Sequence, residues 1–336
     1  MKIIVTGGLG FIGSHLIKRL INDNHTVLNL DAVSYCSMPE ALSGINVSNK
    51  YIFKKNNLSN IVKLSEIIKN FKPNTIYHLA AESHVDNSIL TPDNFIKSNI
   101  IGTYNLLSSI LINKNYLKNF KLIHISTDEV YGSLQNKKME SFSEESKFYP
   151  NSPYSASKAS SDLLVRAWHK TYNIPAITTN CVNNFGTWQF PEKLIPVVIY
   201  SCLKNISIPV YGNGKNIREW IFVEDHTNLL TKIALKGKIG ETYNIGSGYE
   251  IDNISLIKKI CSFFDKNFPK KQSYKKLIKY IKDRPAHDFR YSINTQKLNK
   301  IIKKYKKNNF DINLSKTIIW YINNIDWLEK KIKIKI

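Results

Sequence analysis

The sequence contains no apolar run that approaches the roughly 18 residues of a membrane-spanning helix. Its N-terminus begins directly with a strand-like run, Lys2–Thr6, and has no basic region followed by a separate apolar one. We therefore expect neither a membrane protein nor a secretory signal, and a cytoplasmic location.

Cysteine is scarce, with four residues among 336, and none of the four forms a Cys-x-x-Cys pair. A zinc site or a redox dithiol is therefore not expected, and no other cluster of metal-ligand residues suggests a metal. Cys181 and Cys202 lie in apolar stretches and are predicted to be buried thiols. Unpaired buried thiols are typical of a reducing compartment.

Acidic residues are also few, with 26 Asp and Glu against 48 Lys and Arg, which gives a formal net charge of +22. Such a charge can indicate a nucleic-acid partner. Here the lysines are spread over predicted helix faces, and no concentrated basic patch with interleaved aromatic residues is evident. We interpret the charge as compositional and expect no nucleic-acid partner, although a positive field would favour a diphosphate substrate.

The first half of the chain alternates strand-like apolar runs with segments of helical length. Strands are predicted at 3–6, 27–31, 75–79, 121–127 and 176–181, and helices at 11–22, 61–70, 94–113 and 154–172. This alternation predicts an α/β fold with a Rossmann-type, doubly wound parallel sheet in residues 1–180. Residues 181–336 are punctuated by proline and glycine, and we expect them to form mainly a smaller C-terminal α/β substrate lobe, with some segments returning to the sheet.

A glycine-rich loop follows the first predicted strand and opens the first predicted helix. Gly7, Gly10 and Gly13 fit a fingerprint that allows a tight turn, close approach of a pyrophosphate and close helix–strand packing. The helix N-terminus adds N–H donors for an anion. Asp31 ends the second strand, where its carboxylate would accept ribose hydroxyls and repel a 2′-phosphate. The loop predicts NAD as cofactor; the competing interpretations are a structural turn for the loop and a turn or helix-cap role for Asp31.

Tyr154 and Lys158 lie one helical turn apart in the predicted helix 154–172. Free tyrosine has a pKa of about 10, so it is a poor base at neutral pH unless a nearby cation favours the phenolate. Lys158 can supply that charge. The pair therefore predicts a base that takes the proton of an alcohol during hydride transfer to NAD.

Thr127, Asp128 and Glu129 follow the strand that ends beside this pair. Two neighbouring carboxyl groups can act as acid and base if their environments differ. Oxidation of a sugar alcohol acidifies the adjacent C–H, which one carboxylate could deprotonate while the other protonates a departing hydroxyl. The competing interpretation is that the two merely cap the strand end or bind solvent.

These residues lie in longer motifs at 79–86, 126–132, 152–158, 183–186, 190–196, 218–226 and 283–285. In them the chain resembles the extended short-chain dehydrogenase/reductases, and among these the dTDP-glucose 4,6-dehydratase family. The resemblance runs from residue 1 to about residue 295. It implies conversion of dTDP-glucose to dTDP-4-keto-6-deoxyglucose and water, by oxidation at C4, elimination across C5 and C6, and return of the hydride to C6.

The resemblance also implies residue roles. Tyr154 would take the proton of the 4-hydroxyl with Thr127 bonded to the same oxygen, Glu129 would remove the C5 proton and Asp128 would protonate the 6-hydroxyl. NAD would be regenerated in each turnover and stay bound. The implied NAD contacts are Gly7, Gly10, Phe11, Ile12, Gly13, Asp31, Ala32, Ser34, Leu58, Leu79, Ala80, Ala81, Ser83, Ser98, Tyr154, Lys158 and Asn184. The implied nucleotide-sugar contacts are Ser83, Thr127, Asn183, Lys193, Leu194, Pro209, Tyr211, Arg218, Asn253, Arg284 and His287.

The resemblance further implies a homodimer formed through segments 94–113 and 154–172. The chain departs from the family pattern at Asn57, Asn87, Thr187 and Ala286, where aspartate, arginine, proline and glycine are usual. Thr187 and Ala286 flank the expected nucleotide-sugar pocket, so the same dehydration of UDP-glucose stays open. Two hypotheses from different classes also stay open: a non-catalytic NAD-binding protein and a nucleic-acid-binding protein.

Overall fold

The computed structural model describes residues 1–45, 49–136, 139–302 and 309–333. Its strands, in chain order, are β1 Lys2–Thr6, β2 Thr26–Asp31, β3 Tyr51–Lys55, β4 Thr75–His78, β5 Lys121–Thr127, β6 Ala176–Cys181, β7 Asn183–Phe185, β8 Ile208–Tyr211, β9 Ile217–Phe222, β10 Thr242–Ile245, β11 Glu250–Asp252 and β12 Ile278–Ile281. Seven of them form one parallel sheet in the order β10-β6-β5-β4-β1-β2-β3.

The helices are α1 Phe11–Asn22, α2 Ile61–Phe71, α3 Val85–Leu90, α4 Pro92–Phe95, α5 Gly102–Ile112, α6 Pro153–Tyr172, α7 Leu194–Lys204, α8 Val223–Lys236, α9 Asn253–Asn267, α10 Gln296–Ile302, α11 Phe310–Asn323 and α12 Ile325–Lys333. No helix within the described ranges is long and apolar enough to cross a membrane.

The large sheet lies between two helical layers. On one face, α1 and α8 pack against the strands through residues such as Leu16 and Ile233. On the other, α2 and α5 contribute residues such as Ile68 and Leu106. Because both faces are covered, the central strands are buried almost throughout, as parallel sheets require. Since β1 pairs with both β2 and β4, the strand order reverses there, and a crevice opens at the carboxyl ends of these strands.

A smaller lobe covers that crevice. It contains the three-stranded sheet β11-β9-β7 and the parallel pair β12-β8. Its separate core joins α7, α9 and α11 through residues such as Ile199, Ile260 and Ile318. The seven-stranded sheet and this smaller α/β lobe confirm the predicted fold class.

All five predicted strands are present, but the sheet also contains β3 and β10, which were not predicted. Strand β3 is an edge strand whose residues are mostly exposed, so it lacks a buried apolar run. Strand β10 is only four residues long. It follows residue 180, so the sheet draws on both halves of the chain, and the division of function at that residue stays a prediction.

The helix predicted at 94–113 is present as a continuous helical segment over 92–112, but its middle is not α-helical. After α4, residues Ile96–Ile101 form a π-helix that leads into α5. Single π-helical turns often mark functional sites. The apolar spacing of the segment does not distinguish the wider turn from an ordinary α-helix, so the sequence could not reveal it.

Helix α6 begins with a reciprocal cap. The Ser152 hydroxyl accepts the backbone N–H of Ser155 (3.1 Å), and the Ser155 hydroxyl accepts the backbone N–H of Ser152 (3.0 Å). Pro153 occupies the first turn, where its missing N–H leaves no intrahelical bond unmade. The cap fixes the first turn of α6, which carries Tyr154.

Replacing Ser152 with alanine should lower the free energy of unfolding by about 1 kcal/mol, because one N–H at the helix start loses its acceptor. Urea unfolding followed by circular dichroism measures the change. Ser160→Ala is the matched control, since the Ser160 hydroxyl bonds only the carbonyl of Ala156 within the same helix. Equal stability of the two variants would contradict a stabilising cap.

Candidate active site

The glycine loop has the geometry of a nucleotide cradle. Gly7 has a φ of +71°, and a Cβ there would lie 2.8 Å from the Ala80 backbone. A Cβ on Gly13 would lie 2.3 Å from the carbonyl oxygen of Gly7. Gly10, which precedes α1, makes no side-chain cap, so the first N–H groups of the helix are available to an anion. The loop therefore fits the pyrophosphate of a dinucleotide.

Asp31 lies at the end of β2 beside this loop and is buried. Its carboxylate accepts N–H bonds from Leu9 (2.9 Å) and Val33 (2.8 Å) and the hydroxyl of Ser37 (3.2 Å). The residue thus has the turn-forming role that was the competing interpretation. A carboxylate has about four acceptor positions, so capacity for a ribose hydroxyl is left.

The five predicted catalytic residues converge where β5 ends against α6. Residues Asp128–Tyr131 form a 3₁₀ turn directly after Thr127. The Thr127 hydroxyl donates to the Asp128 carboxylate (3.3 Å) and accepts the backbone N–H of Glu129 (3.3 Å). Lys158 donates to the carbonyl oxygen of Ile125 on β5 (2.9 Å).

Burial governs the ionisation of Tyr154. It raises the pKa of Tyr154 well above its usual value, and the charge of Glu129 raises this pKa further. This direction is opposite to the one expected from Lys158, whose ammonium group is bonded to the β5 backbone. The protein's own groups therefore keep Tyr154 protonated, and a cationic ligand beside it would be needed to favour the phenolate.

The two carboxyl groups have unlike environments. Asp128 is 1% exposed, and burial, reinforced by the charges of Glu129 and Glu219, raises its pKa well above the usual range. Its Oδ2 atom is buried without a hydrogen-bond partner in the structure. Burial also raises the pKa of Glu129, but the charges of Arg218, Arg284 and Lys193 oppose that rise. Asp128 is thus suited to hold a proton and Glu129 to accept one.

Arg218 and Arg284 approach this pair from the smaller lobe. The buried guanidinium of Arg218 donates to the carbonyls of Ile217 (2.8 Å) and Asp288 (3.0 Å) and lies 4.4 Å from the ring centre of Tyr291. Arg284 is less constrained, because its Nε atom is buried without a partner in the structure. Guanidinium groups match phosphate oxygens in geometry, so the pair has the chemistry expected of a diphosphate site.

Other predicted substrate residues bridge the two lobes. Lys193 donates to the carbonyl oxygen of Ser83 (2.9 Å). Asp86 accepts the Tyr211 hydroxyl (3.2 Å) and lies 3.5 Å from the Arg284 guanidinium. The ring of His287 meets that of Tyr211 edge-on, with 6.3 Å between the ring centres.

Within the described part of the chain, the remaining predicted ligand residues make no hydrogen bond to the five catalytic residues. Asn183 and Asn184 form β7, and the Asn184 side-chain oxygen pairs with His226 (2.8 Å). Asn253 donates its backbone N–H to Asn216 at the start of α9 (3.0 Å). Ser98 lies within the π-helix and Pro209 on β8. The other predicted contacts lie on loops or at helix starts: Phe11, Ile12, Ala32, Ser34, Leu58, Leu79, Ala80, Ala81 and Leu194. The ligand roles of all these residues remain predictions.

Asn99 is a structural member of the site that was not predicted from the sequence. It lies in the π-helix, is 1% exposed, and donates to the Ser157 hydroxyl (2.8 Å) and the Glu82 carbonyl (3.0 Å). Its side-chain oxygen accepts the N–H of Glu82 (2.8 Å). Asn99 therefore joins α6 to the 79–86 motif. The only signal in the sequence was a polar residue on an apolar helix face.

Three departures from the family pattern have visible consequences. Asn87 donates to the Tyr35 hydroxyl (3.1 Å), which in turn donates to Glu192 across the crevice (3.0 Å). The Thr187 hydroxyl is 3.2 Å from Nε2 of His15 on α1. Ala286, where the family has glycine, retains a left-handed backbone with a φ of +50°. The loop beside Arg284 therefore keeps a conformation that favours glycine.

The fold and the site define a Rossmann-fold enzyme of the extended short-chain dehydrogenase/reductase class. A family model described as GDP-mannose 4,6 dehydratase matches residues 4–316. Curated relatives named dTDP-glucose 4,6-dehydratase, from Shigella flexneri and Escherichia coli strain K12, are 44% and 42% identical over 98% of this chain and 95% of each relative. The chain belongs to this family of nucleotide-sugar dehydratases.

Solved structures of dTDP-glucose 4,6-dehydratases have the same fold as this chain. DesIV, a dTDP-glucose 4,6-dehydratase from Streptomyces venezuelae solved with NAD and TYD bound, superposes with a TM-score of 0.90 at 34% identity, over 98% of this chain and 100% of that one. The dTDP-glucose 4,6-dehydratase of Bacillus anthracis, in complex with NAD, gives a TM-score of 0.87 at 37% identity, over 98% and 99% of the two chains.

Asp128→Asn should change how stability depends on pH. The pKa of Asp128 is higher in the folded protein than in the unfolded chain, so its stabilising contribution is present below about pH 4 and is lost as pH rises through the folded pKa. Relative to wild type, the variant should gain up to about 1.4 kcal/mol of unfolding free energy per pH unit over that window. Urea unfolding between acidic and neutral pH measures the difference.

Asp93→Asn is the control for that series. Asp93 is exposed, and its hydrogen bond to Lys97 lowers its pKa, so its small contribution has the opposite pH dependence. If wild type and Asp128→Asn lost stability in parallel as pH rose, Asp128 would not be held protonated by burial.

Proposed function

We propose that the chain is an NAD-dependent hydro-lyase that converts dTDP-glucose to dTDP-4-keto-6-deoxyglucose and water. The observation that carries the proposal is the pair Asp128 and Glu129, which differ in environment and lie beside Tyr154 at the mouth of a dinucleotide fold. A simple dehydrogenase has no use for this acid–base pair. Curated relatives that are 42–44% identical over 98% of the chain are named dTDP-glucose 4,6-dehydratases.

The residues around the crevice fit NAD. The cradle of Gly7, Gly10 and Gly13 would hold the pyrophosphate at the start of α1, and Asp31 the adenosine ribose. When bound, NAD supplies the hydride acceptor for oxidation and, as NADH, the hydride donor for reduction. Its oxidised nicotinamide would also add positive charge beside Tyr154, in addition to that of Lys158.

In the proposed reaction, each proton transfer can be assigned to a residue of the site. Tyr154 takes the proton of the sugar 4-hydroxyl, and Thr127 orients the same oxygen. Once C4 is a ketone, Glu129 removes the acidified C5 proton, and it returns a proton to C5 when the hydride adds to C6. Asp128, which burial keeps protonated, donates to the 6-hydroxyl as it leaves as water. The carboxyl with the more strongly raised pKa is therefore the acid, and the one surrounded by cations is the base.

Arg218 and Arg284 would bind the substrate diphosphate, since guanidinium groups match phosphate oxygens in pairs. The fixed Arg218 would set the position of the phosphates. Arg284 would exchange its contact with Asp86 for the ligand, and its unpartnered Nε supports this. Lys193, Tyr211 and His287 lie on the same side of the cleft and would complete the nucleotide site.

We also propose a homodimer that works in the cytoplasm. Ile101, Tyr104 and Ile112 are exposed along the π-helix and α5, and Leu163 is exposed on α6. Apolar residues on two neighbouring helices are suited to a helical interface with a second copy. All four cysteines are unpaired, which supports a reducing compartment.

The direct test incubates the NAD-loaded protein separately with dTDP-glucose and UDP-glucose and follows the 4-keto-6-deoxy product. We expect turnover of dTDP-glucose and a lower kcat/KM for UDP-glucose. A preference for UDP-glucose would move the proposal to that nucleotide, and no turnover of either would overturn the dehydratase function.

Glu129→Gln should separate oxidation from elimination. Because Tyr154 and NAD are retained, bound NADH should still form on addition of dTDP-glucose. Exchange of the C5 hydrogen with deuterated solvent, and product release, should fall by roughly 10²-fold or more, since the general base is lost. Mass spectrometry measures the exchange. Glu145→Gln, at an exposed position, is the control, and undiminished exchange in Glu129→Gln would show that another group is the C5 base.

A further inference from the structure

The face of α6 that carries Tyr154 and Lys158 continues one turn further to Asp162. These three residues are spaced four apart, so they lie in a row along the helix. Asp162 is 4% exposed and faces the large sheet. A carboxyl group at such depth requires partners, and it has no place in the reaction described above.

Strand β5 supplies those partners. Asp162 Oδ1 lies 2.9 Å from Nε2 of His124, and Oδ2 accepts the hydroxyl of Ser126 (2.8 Å). Between these two residues, the carbonyl oxygen of Ile125 accepts Lys158 Nζ (2.9 Å). Three consecutive residues of β5 therefore hydrogen-bond to two consecutive turns of α6. These turns follow the turn that carries Tyr154.

The hydrogen bonds also assign the proton positions on the neighbouring histidines. The Thr103 hydroxyl donates to the Asn99 carbonyl (2.6 Å), so it accepts from Nε2 of His78 (3.0 Å). Burial lowers the pKa of His78 and of His124 well below the usual value, so both rings are neutral. Neutral His124 therefore donates from Nε2 to Asp162, and its Nδ1 is left buried without a partner in the structure.

Lys158 and Asp162 lie one helical turn apart in this layer and carry opposite charges when both are ionised. Other ionisable groups around this pair are His124 on β5, His78 on β4, Tyr131 in the 3₁₀ turn and Cys181 on β6, and Tyr154 and Asp128 lie on the side of the catalytic group. Burial raises the pKa of Tyr131, and raises that of Cys181 to about 12, so both are uncharged near neutral pH.

The two charges support each other. Burial lowers the pKa of Lys158, and the charge of Asp162 is the first influence that opposes it. Burial raises the pKa of Asp162 to about 7, and Lys158 and the Ser126 hydroxyl limit that rise. Removing the carboxylate would leave Lys158 as an unpaired charge in the interior.

We propose that Asp162 is a positioning residue that keeps Lys158 charged and aligned along α6 beside Tyr154. The inference rests on the proposed function, because it assigns Asp162 to the oxidation step of that reaction. It acts through Lys158 and does not touch the substrate. His124 and Ser126 hold its carboxylate in place.

The test isolates oxidation with dTDP-6-deoxyglucose, which has no 6-hydroxyl to eliminate. Formation of bound NADH is measured by stopped flow across neutral and alkaline pH in wild type, Asp162→Asn and Ser126→Ala. In Asp162→Asn, the rate of NADH formation should begin to fall at a pH about one unit or more below that of wild type. Lys158 loses its proton more easily without the neighbouring charge.

Ser126→Ala is the matched control. It removes one hydrogen bond to Asp162 but keeps the carboxylate, which is ionised at alkaline pH, so its decline should coincide with that of wild type. Asparagine can keep both contacts if the Ser126 hydroxyl rotates to accept. Should that variant fail to fold, Asp162→Ser also removes the charge and should show the same early decline.

An alkaline decline in Asp162→Asn or Asp162→Ser that coincides with wild type would overturn the inference. An equal shift in Ser126→Ala would also overturn it, since packing and not charge would then be responsible. These outcomes differ from failure of the proposed function, in which wild type itself would form no NADH with dTDP-6-deoxyglucose and no product from dTDP-glucose.

Discussion

Helix α6 packs against strand β5, and this contact sets the position of every group to which we assign a proton transfer. The strand ends at Thr127 and turns sharply, so that Asp128 and Glu129 meet the first turn of the helix. The helix is fixed at its start by the serine cap and along its length by Lys158 and Asp162. Without that contact, Asp128 and Glu129 would not be held at a fixed distance from Tyr154.

The same contact buries the site, and the extent of burial and the neighbouring charges differ between its two carboxyl groups. Asp128 and Glu129 are adjacent in sequence and chemically similar. Asp128 faces the interior, whereas Glu129 faces the arginines of the smaller lobe. Their environments differ because the smaller lobe places its cationic side chains nearer Glu129. The smaller lobe thus influences the ionisation of the carboxyl pair through its charges.

Local signals in the sequence predicted much of this arrangement. The glycine loop, Asp31 and the Tyr154–Lys158 spacing each follow from short-range geometry, and α1 begins and ends where the spacing predicts. What could not be predicted depends on distant contacts. Strand β10 is recognisable only beside β6, and Asn99 gains its role only through a π-helix that the apolar spacing does not show. The pKa of Tyr154 depends on total burial, which no spacing along a helix reveals.

Strand β10 has a consequence for how the chain is made. It pairs with β6 at one edge of the large sheet, although 60 or more residues separate them in the sequence. While the chain emerges from the ribosome, β6 has an unpaired edge until residue 245 becomes available. An unpaired strand edge of that kind is a template for aggregation. Folding of the first half is therefore coupled to synthesis of the second, and a fragment ending near residue 180 would lack the strand that closes its sheet.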